Sequence, residues 1–136
     1  MALLEVENLE IAVSTQRNLL PVVRGVSFTV DENETLGIVG ESGCGKSLTS
    51  LAIMGLLGAT PVRIMGGSIY FDGMNLLALS ERERRAIMGN RMAMIFQEPM
   101  TSLNPVYRIG DQIVENLRQH QKLSRAAARD RSVELL

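Results

Sequence analysis

Residues 40–47 read Gly40-Glu41-Ser42-Gly43-Cys44-Gly45-Lys46-Ser47 and fill the pattern G-x-x-x-x-G-K-[ST] at every fixed position. That spacing suits a polyphosphate anion, which is held by successive backbone N–H groups curling into a nest. Gly43 and Gly45 let the chain turn tightly and leave room for phosphate oxygens, while Gly40 marks the entry to the turn. Lys46 can reach β- and γ-phosphates as a point charge, and the Ser47 hydroxyl can hold Mg²⁺. A helix beginning near Lys46 would direct its unpaired amides and dipole at the same anion. The expected contact stretch therefore runs through Gly40, Glu41, Ser42, Gly43, Cys44, Gly45, Lys46, Ser47 and Leu48.

Such a loop needs a strand before it and a helix after it. Thr35-Leu36-Gly37-Ile38-Val39 is a short, nearly all-apolar run, the pattern of a strand buried on both faces. Residues 47–57 hold good helix formers without proline, with Gly58 as the expected stop. Alternation in Leu4-Glu5-Val6-Glu7 and in Val26-Ser27-Phe28-Thr29-Val30 predicts half-buried antiparallel strands. Residues 14–18, with Pro21 beyond them, predict a loop. Residues 67–71 predict another strand, closed by a turn at Asp72-Gly73. Ser80 and Glu83 have the spacing of a capping box, opening a helix through Ile87. Residues 91–96 form a further apolar run that ends in a polar, proline-punctuated loop over 97–105. Helices are expected near 110–119 and from Ser124 onward.

Composition sets the class. Lys plus Arg come to 14 and Asp plus Glu to 15, and this balance gives no electrostatic footprint for nucleic acid. Apolar residues make up 46% against 21% charged, which predicts a globular chain. Cys44, the single cysteine, excludes an internal disulfide framework and a multi-cysteine zinc site. No apolar run approaches the roughly 18 residues of a membrane span, and the acidic start does not read as a signal peptide. The expectation is a soluble intracellular protein. A nucleophilic role for Cys44 is not expected, because the only histidine, His120, lies far away in a polar stretch that reads as solvated surface.

Many nucleotide enzymes share this loop, and a segment further along the chain distinguishes among them. Arg91-Met92-Ala93-Met94-Ile95-Phe96-Gln97-Glu98-Pro99-Met100-Thr101-Ser102-Leu103-Asn104-Pro105 resembles the glutamine loop of ATP-binding cassette (ABC) ATPases. Its extended form, FQEPMTSLNP, is similar to the ATP-binding subunits of bacterial peptide and nickel importers. Residues 37–57 and 79–99 carry the same resemblance, which covers essentially the whole chain.

The resemblance implies an α/β fold: the N-terminal part of a P-loop ABC core, with an antiparallel β subdomain. It implies one nucleotide-binding domain portion over 1–136, with the phosphate loop at 40–47, the glutamine loop at 97–105 and the start of a helical subdomain at about 108–136. It implies ATP and Mg²⁺, with Lys46 and Gln97 as the catalytic pair and Ser47 and Gln97 near the metal. Gln97 would orient water and report γ-phosphate occupancy, a task its amide suits because it both donates and accepts. The implied function is coupling of ATP hydrolysis to import of peptides or related solutes. Implied partners are transmembrane permease subunits at 97–105, a second ATP-binding subunit and, indirectly, a periplasmic solute-binding protein. No nucleic acid is expected, and the implied place is the cytoplasmic face of the bacterial inner membrane.

Two departures stand out. Family members place an aromatic upstream of the phosphate loop to stack on adenine, yet no aromatic precedes Phe28 here; Arg17 and Leu20 lie at about the right distance. No LSGGQ-type signature and no apolar strand ending in Asp-Glu occur either, so the chain resembles the part of such a subunit that ends before them. Expressed alone it is expected to be marginally stable and to hydrolyse ATP at background only. A small-molecule kinase and a non-catalytic module are the alternative classes; phosphate transfer to an acceptor marks the first, and failure to bind ATP·Mg²⁺ the second.

Overall fold

The computed structural model describes residues 2–58, 60–98 and 102–136. The chain divides into two compact units, Met1–Arg84 and Arg85–Leu136, each considered by itself.

The first unit is built on a four-stranded sheet in the order β2-β1-β3-β4. Its strands are β1 (Leu4–Ser14), β2 (Leu19–Val30), β3 (Val62–Phe71) and β4 (Met74–Asn75), each antiparallel to its neighbours. Apolar side chains from β1 and β3 make the core: Val6, Leu9, Ile11 and Ile69 are the largest wholly buried ones. A bulge keeps Leu9 in phase with Val6. Asn8 takes φ 46° and passes its amide to the Ser27 hydroxyl at 2.8 Å. Facing it, Gly67 sits at φ 90°, where a Cβ would come within 2.5 Å of the Glu7 and Asn8 carbonyls, so only glycine fits.

All three long strands exceed their predicted lengths. The loop after β1 is confined to residues 15–18, where the Thr15 hydroxyl both donates to the Asn18 carbonyl and accepts from the Asn18 amide. Pro21 lies inside β2, opposite Ala12 and at a register shift. An edge strand tolerates a missing N–H, and β2 is an edge. The expected turn at Asp72-Gly73 is present, both residues having positive φ, and it joins Phe71 to Met74 as a two-residue hairpin.

One expected strand is absent. Residues 35–39 form no ladder, and Leu36, Ile38 and Val39 are 41%, 46% and 93% exposed. Apolar composition favours a strand there, but a strand exists only through hydrogen bonds to a neighbour, and none pairs with it among the described residues. Helix α1 (Lys46–Ile53) comes next and ends sooner than Gly58. Gly55, at φ 66°, donates to the Ala52 carbonyl while the Leu56 amide donates to that of Leu51, a Schellman closure. Above Gly55 the Arg84 guanidinium donates to the Leu76 carbonyl at 3.2 Å.

Helix α2 (Glu81–Ile87) opens with the expected capping box: the Ser80 amide donates to the Glu83 carboxylate at 2.9 Å and the Glu83 amide to the Ser80 hydroxyl at 3.4 Å. In the second unit, α3 (Ile109–Gln121) packs on α4 (Arg125–Glu134), with Leu117, Ala128 and Ser132 buried. Ser124 caps α4 by accepting from the Ala127 amide at 3.2 Å. Residues 91–96 again form no strand. Met92 makes one isolated bridge to Met88, and Ile95 is 95% exposed.

Candidate functional site

Residues 40–47 form a loop whose backbone is arranged by its own bonds. The Cys44 amide donates to the Glu41 carbonyl at 3.3 Å, Gly43 sits at φ 81° and Gly45 at φ 98°. Gly45 is the N-cap of α1 and lies against β2, where a Cβ would meet the Val23 Cγ2 at 2.8 Å. The glycine therefore serves two needs, a left-handed backbone and a close approach to the sheet. At Gly43 a Cβ would meet nothing within 4 Å, so there the positive φ alone favours glycine.

Lys46 reaches back across this turn. Its Nζ donates to the Gly40 carbonyl at 2.6 Å and to the Glu41 carbonyl at 2.8 Å, and lies 3.5 Å from the Cys44 Sγ. The two carbonyls and the Cys44 sulfur together take up the three protons of the ammonium and fix it over the loop, so an incoming anion would exchange for one of them. The first helical bond inside α1 runs from the Thr49 amide to the Gly45 carbonyl. Among the described residues no acceptor serves the amides of Lys46, Ser47 and Leu48, and no acidic side chain stands in the first turn of α1. Unpaired donors, an unopposed helix dipole and one fixed ammonium converge here, and that donor set fits a phosphate chain. The Ser47 hydroxyl has no partner among the described residues, so it is available to a hard cation such as Mg²⁺. No cluster of three or more His, Cys, Asp or Glu able to hold a metal occurs among those residues.

Gln97 belongs to the second unit. It lies in an exposed bend, with its amide unpaired among the described residues. Within the expected 97–105 loop, Pro99, Met100 and Thr101 fall outside the described residues. The far end of that loop is held by Gln112, a residue that no motif or spacing singles out. From its place on α3, Gln112 accepts from the Asn104 amide at 2.9 Å and donates to the carbonyls of Asn104 at 2.9 Å and Tyr107 at 3.1 Å. Only the companion turn, in which the Val106 amide donates to the Asn104 side chain at 3.0 Å, could be anticipated from the Asn-Pro pair. An open groove of about 690 Å³, lined by Ser102, Leu103, Gln112, Asn116 and His120, runs beside this clamp. His120 is half-buried over Gly89, not fully solvated as its polar neighbours imply. Arg17 lies in the exposed β1–β2 turn, and Leu20 pairs with Val13.

The family model described as ABC transporter matches residues 23–135. The chain is 50% identical over 134 residues to the oligopeptide transport ATP-binding protein OppD of Bacillus subtilis, covering 98% of this chain and 37% of that one. It is 48% identical to the probable peptide ABC transporter ATP-binding protein y4tR of Sinorhizobium fredii, covering 98% and 40%. It is 46% identical to the dipeptide transport ATP-binding protein DppD of Escherichia coli, covering 100% and 41%. The chain thus spans about two fifths of the length of the curated relatives it matches. Among solved structures, the ATP-binding cassette MJ0796, a dimer in a post-hydrolysis state with ADP and Pi, superposes with a TM-score of 0.72 at 23% identity, over 96% of this chain and 54% of that one. No helix among the described residues is long and apolar enough to cross a membrane. With the family model matching residues 23–135, most of its length, the chain belongs to the ABC transporter family.

Proposed function

We propose that this chain carries the phosphate-binding face of an ATP-binding subunit that drives peptide import across the bacterial inner membrane. The observation that carries the reading is the Lys46 ammonium held on the Gly40 and Glu41 carbonyls in a loop that leads into a helix start whose amides have no acceptor among the described residues. In this reading the backbone from Gly40 to Leu48 wraps the β- and γ-phosphates, and Lys46 holds their charge. Ser47 and Gln97 are the residues that would hold Mg²⁺, which supplies charge neutralisation on the phosphate oxygens when bound. Gln97 orients water, a task its amide suits because it can donate and accept at once. Base contacts fall to Arg17 and Leu20, which lie at about the family's sequence distance upstream of the loop, where a guanidinium plane can stack on a purine.

Peptide is the proposed cargo because the relatives are named for peptide, oligopeptide and dipeptide transport. The proposed partners are transmembrane permease subunits meeting residues 97–105, a second ATP-binding subunit, and a periplasmic solute-binding protein acting through the permease. Peripheral attachment at the cytoplasmic face accords with that arrangement. The carboxylate that polarises water and the signature of the facing subunit are not found in the 136 residues, so turnover by these residues alone is expected at background.

Titration calorimetry with ATP and Mg²⁺ tests the reading. Binding is expected, and Lys46→Ala should weaken it about 10- to 100-fold, the loss of charge-assisted hydrogen bonds at roughly 1.5–3 kcal/mol. Absence of binding at millimolar ATP, or equal binding by the variant, overturns it.

A further inference from the structure

Between the start of α3 and one side of α4 lies a groove of about 260 Å³ that shares no residue with the one beside Gln112. Arg108, which precedes the first turn of α3, and Arg125 and Arg129 from α4 line it together. None of their guanidinium groups has an ion pair or a hydrogen bond among the described residues. The next arginine of α4 does have one: Arg131, outside the lining, donates to the Glu134 carboxylate at 2.7 Å. Arg125 and Arg129 stand four residues apart on one helix face, and like charges at that spacing cost a helix stability. The chain has 15 Asp plus Glu for its 14 Lys plus Arg, so acids to neutralise them exist in its composition and are not placed here. Asp111 is the one acid on the groove and pairs with none of the three. Val114 and Val133 add an apolar wall, Val133 being 70% exposed.

The geometry points to a binding site for a small phosphomonoester, its phosphate among Arg108, Arg125 and Arg129 and an apolar group against Val114 and Val133. Charge selects the ligand. Three guanidinium groups against one carboxylate leave two positive charges, which a phosphomonoester dianion balances with three terminal oxygens to share among them. A carboxylate carries half that charge and is satisfied by a single bidentate arginine. Volume narrows the choice further, because ligand pockets usually run to about 300–1,000 Å³. This smaller groove has room for a phosphate and a few carbons, not for a peptide or a lipid chain. A bound dianion also relieves the repulsion between Arg125 and Arg129, so α4 gains stability on binding. The site lies wholly in the second unit and does not depend on what binds at residues 40–47.

Titration calorimetry of the full-length subunit with phenyl phosphate as the probe tests this. A non-hydrolysable ATP analogue and Mg²⁺ are kept in excess, so that the phosphate loop takes up none of the probe. Binding is expected with a dissociation constant of about 1 mM or tighter, and benzoate, with one charge fewer, should bind at least about tenfold more weakly. Arg108→Gln, Arg125→Gln and Arg129→Gln should each weaken phenyl phosphate about threefold to tenfold. Arg131→Gln removes the same charge from the same helix and should leave the affinity unchanged. Asp111→Asn should tighten it about threefold, a gain that a misfolded variant cannot mimic. Absence of phenyl phosphate binding, equal binding of benzoate, or an equal loss in Arg131→Gln overturns the site. Capture by phosphatidate vesicles without binding of phenyl phosphate would give the groove to a membrane surface and overturn it as well.

Discussion

The antiparallel sheet and the two extended segments at 35–39 and 92–96 are made of similar residues and reach opposite ends. Ile69 in β3 is wholly buried, whereas Val39 and Ile95 are 93% and 95% exposed. Propensity does not separate them, since valine and isoleucine favour strands in either place. Ladder partners do. β1 finds β2 across a four-residue turn and β3 on its other side, paired along most of its length with both. Among the described residues no strand lies beside 35–39 to accept or donate. A β-rich sequence is therefore a claim on a neighbour, and its backbone stays unassigned until that neighbour is supplied.

Truncation of one side chain on each side of this divide gives the largest effect. Ile69→Ala should destabilise the first unit by about 2–5 kcal/mol, the usual cost of emptying a packed aliphatic site. Val39→Ala should change it by no more than about 0.5 kcal/mol. Denaturant titration measures both, and equal losses would show that 35–39 is packed after all. Gly45→Ala comes next, because it attacks the contact between the phosphate loop and the finished sheet. A side chain there takes an unfavourable φ of 98° at about 1–2 kcal/mol and drives its Cβ into Val23. ATP affinity should fall about tenfold or more as α1 and its free amides shift, and an unchanged dissociation constant would mean that the sheet does not position the loop.

Legibility in the chain divides along the same line. The tight turns expected at Gly43 and Gly45 are present at positive φ, and these glycines can be read from the motif alone. The Ser80–Glu83 box and the turn at Asp72-Gly73 were legible for the same reason. Strand lengths were not, because the Asn8 bulge breaks the alternation that would have carried β1 past Glu7. Helix α1 closed at Gly55, not at the expected Gly58, where the positive φ of Gly55 and the bonds back to Ala52 and Leu51 finish the last turn. Residues 35–39 defeated the reading outright, their state depending on a partner that local pattern cannot supply. Gln112 left no trace in spacing, as its three bonds go to backbone that any residue could present.

The smallest effect isolates a structure that needs no ladder. The hydrogen bond from the Ser80 hydroxyl, and next that from its amide, hold the Glu83 carboxyl below the ordinary glutamate range. The folded state thus favours the ionised form. Its contribution is present above the unfolded-state value and is lost as pH falls through the lowered folded one. Ser80→Ala removes the hydroxyl donor, so Glu83 should titrate closer to an unperturbed glutamate in a carboxyl-carbon NMR titration. The melting temperature of the variant should lie below that of the wild type at neutral pH, and the two should converge in acid. A Glu83 titration unmoved by the substitution would mean that the box is not what ionises it. Because every partner lies within four consecutive residues, the same shift is expected whether or not 35–39 has found its neighbour, which makes it the internal control for the larger losses.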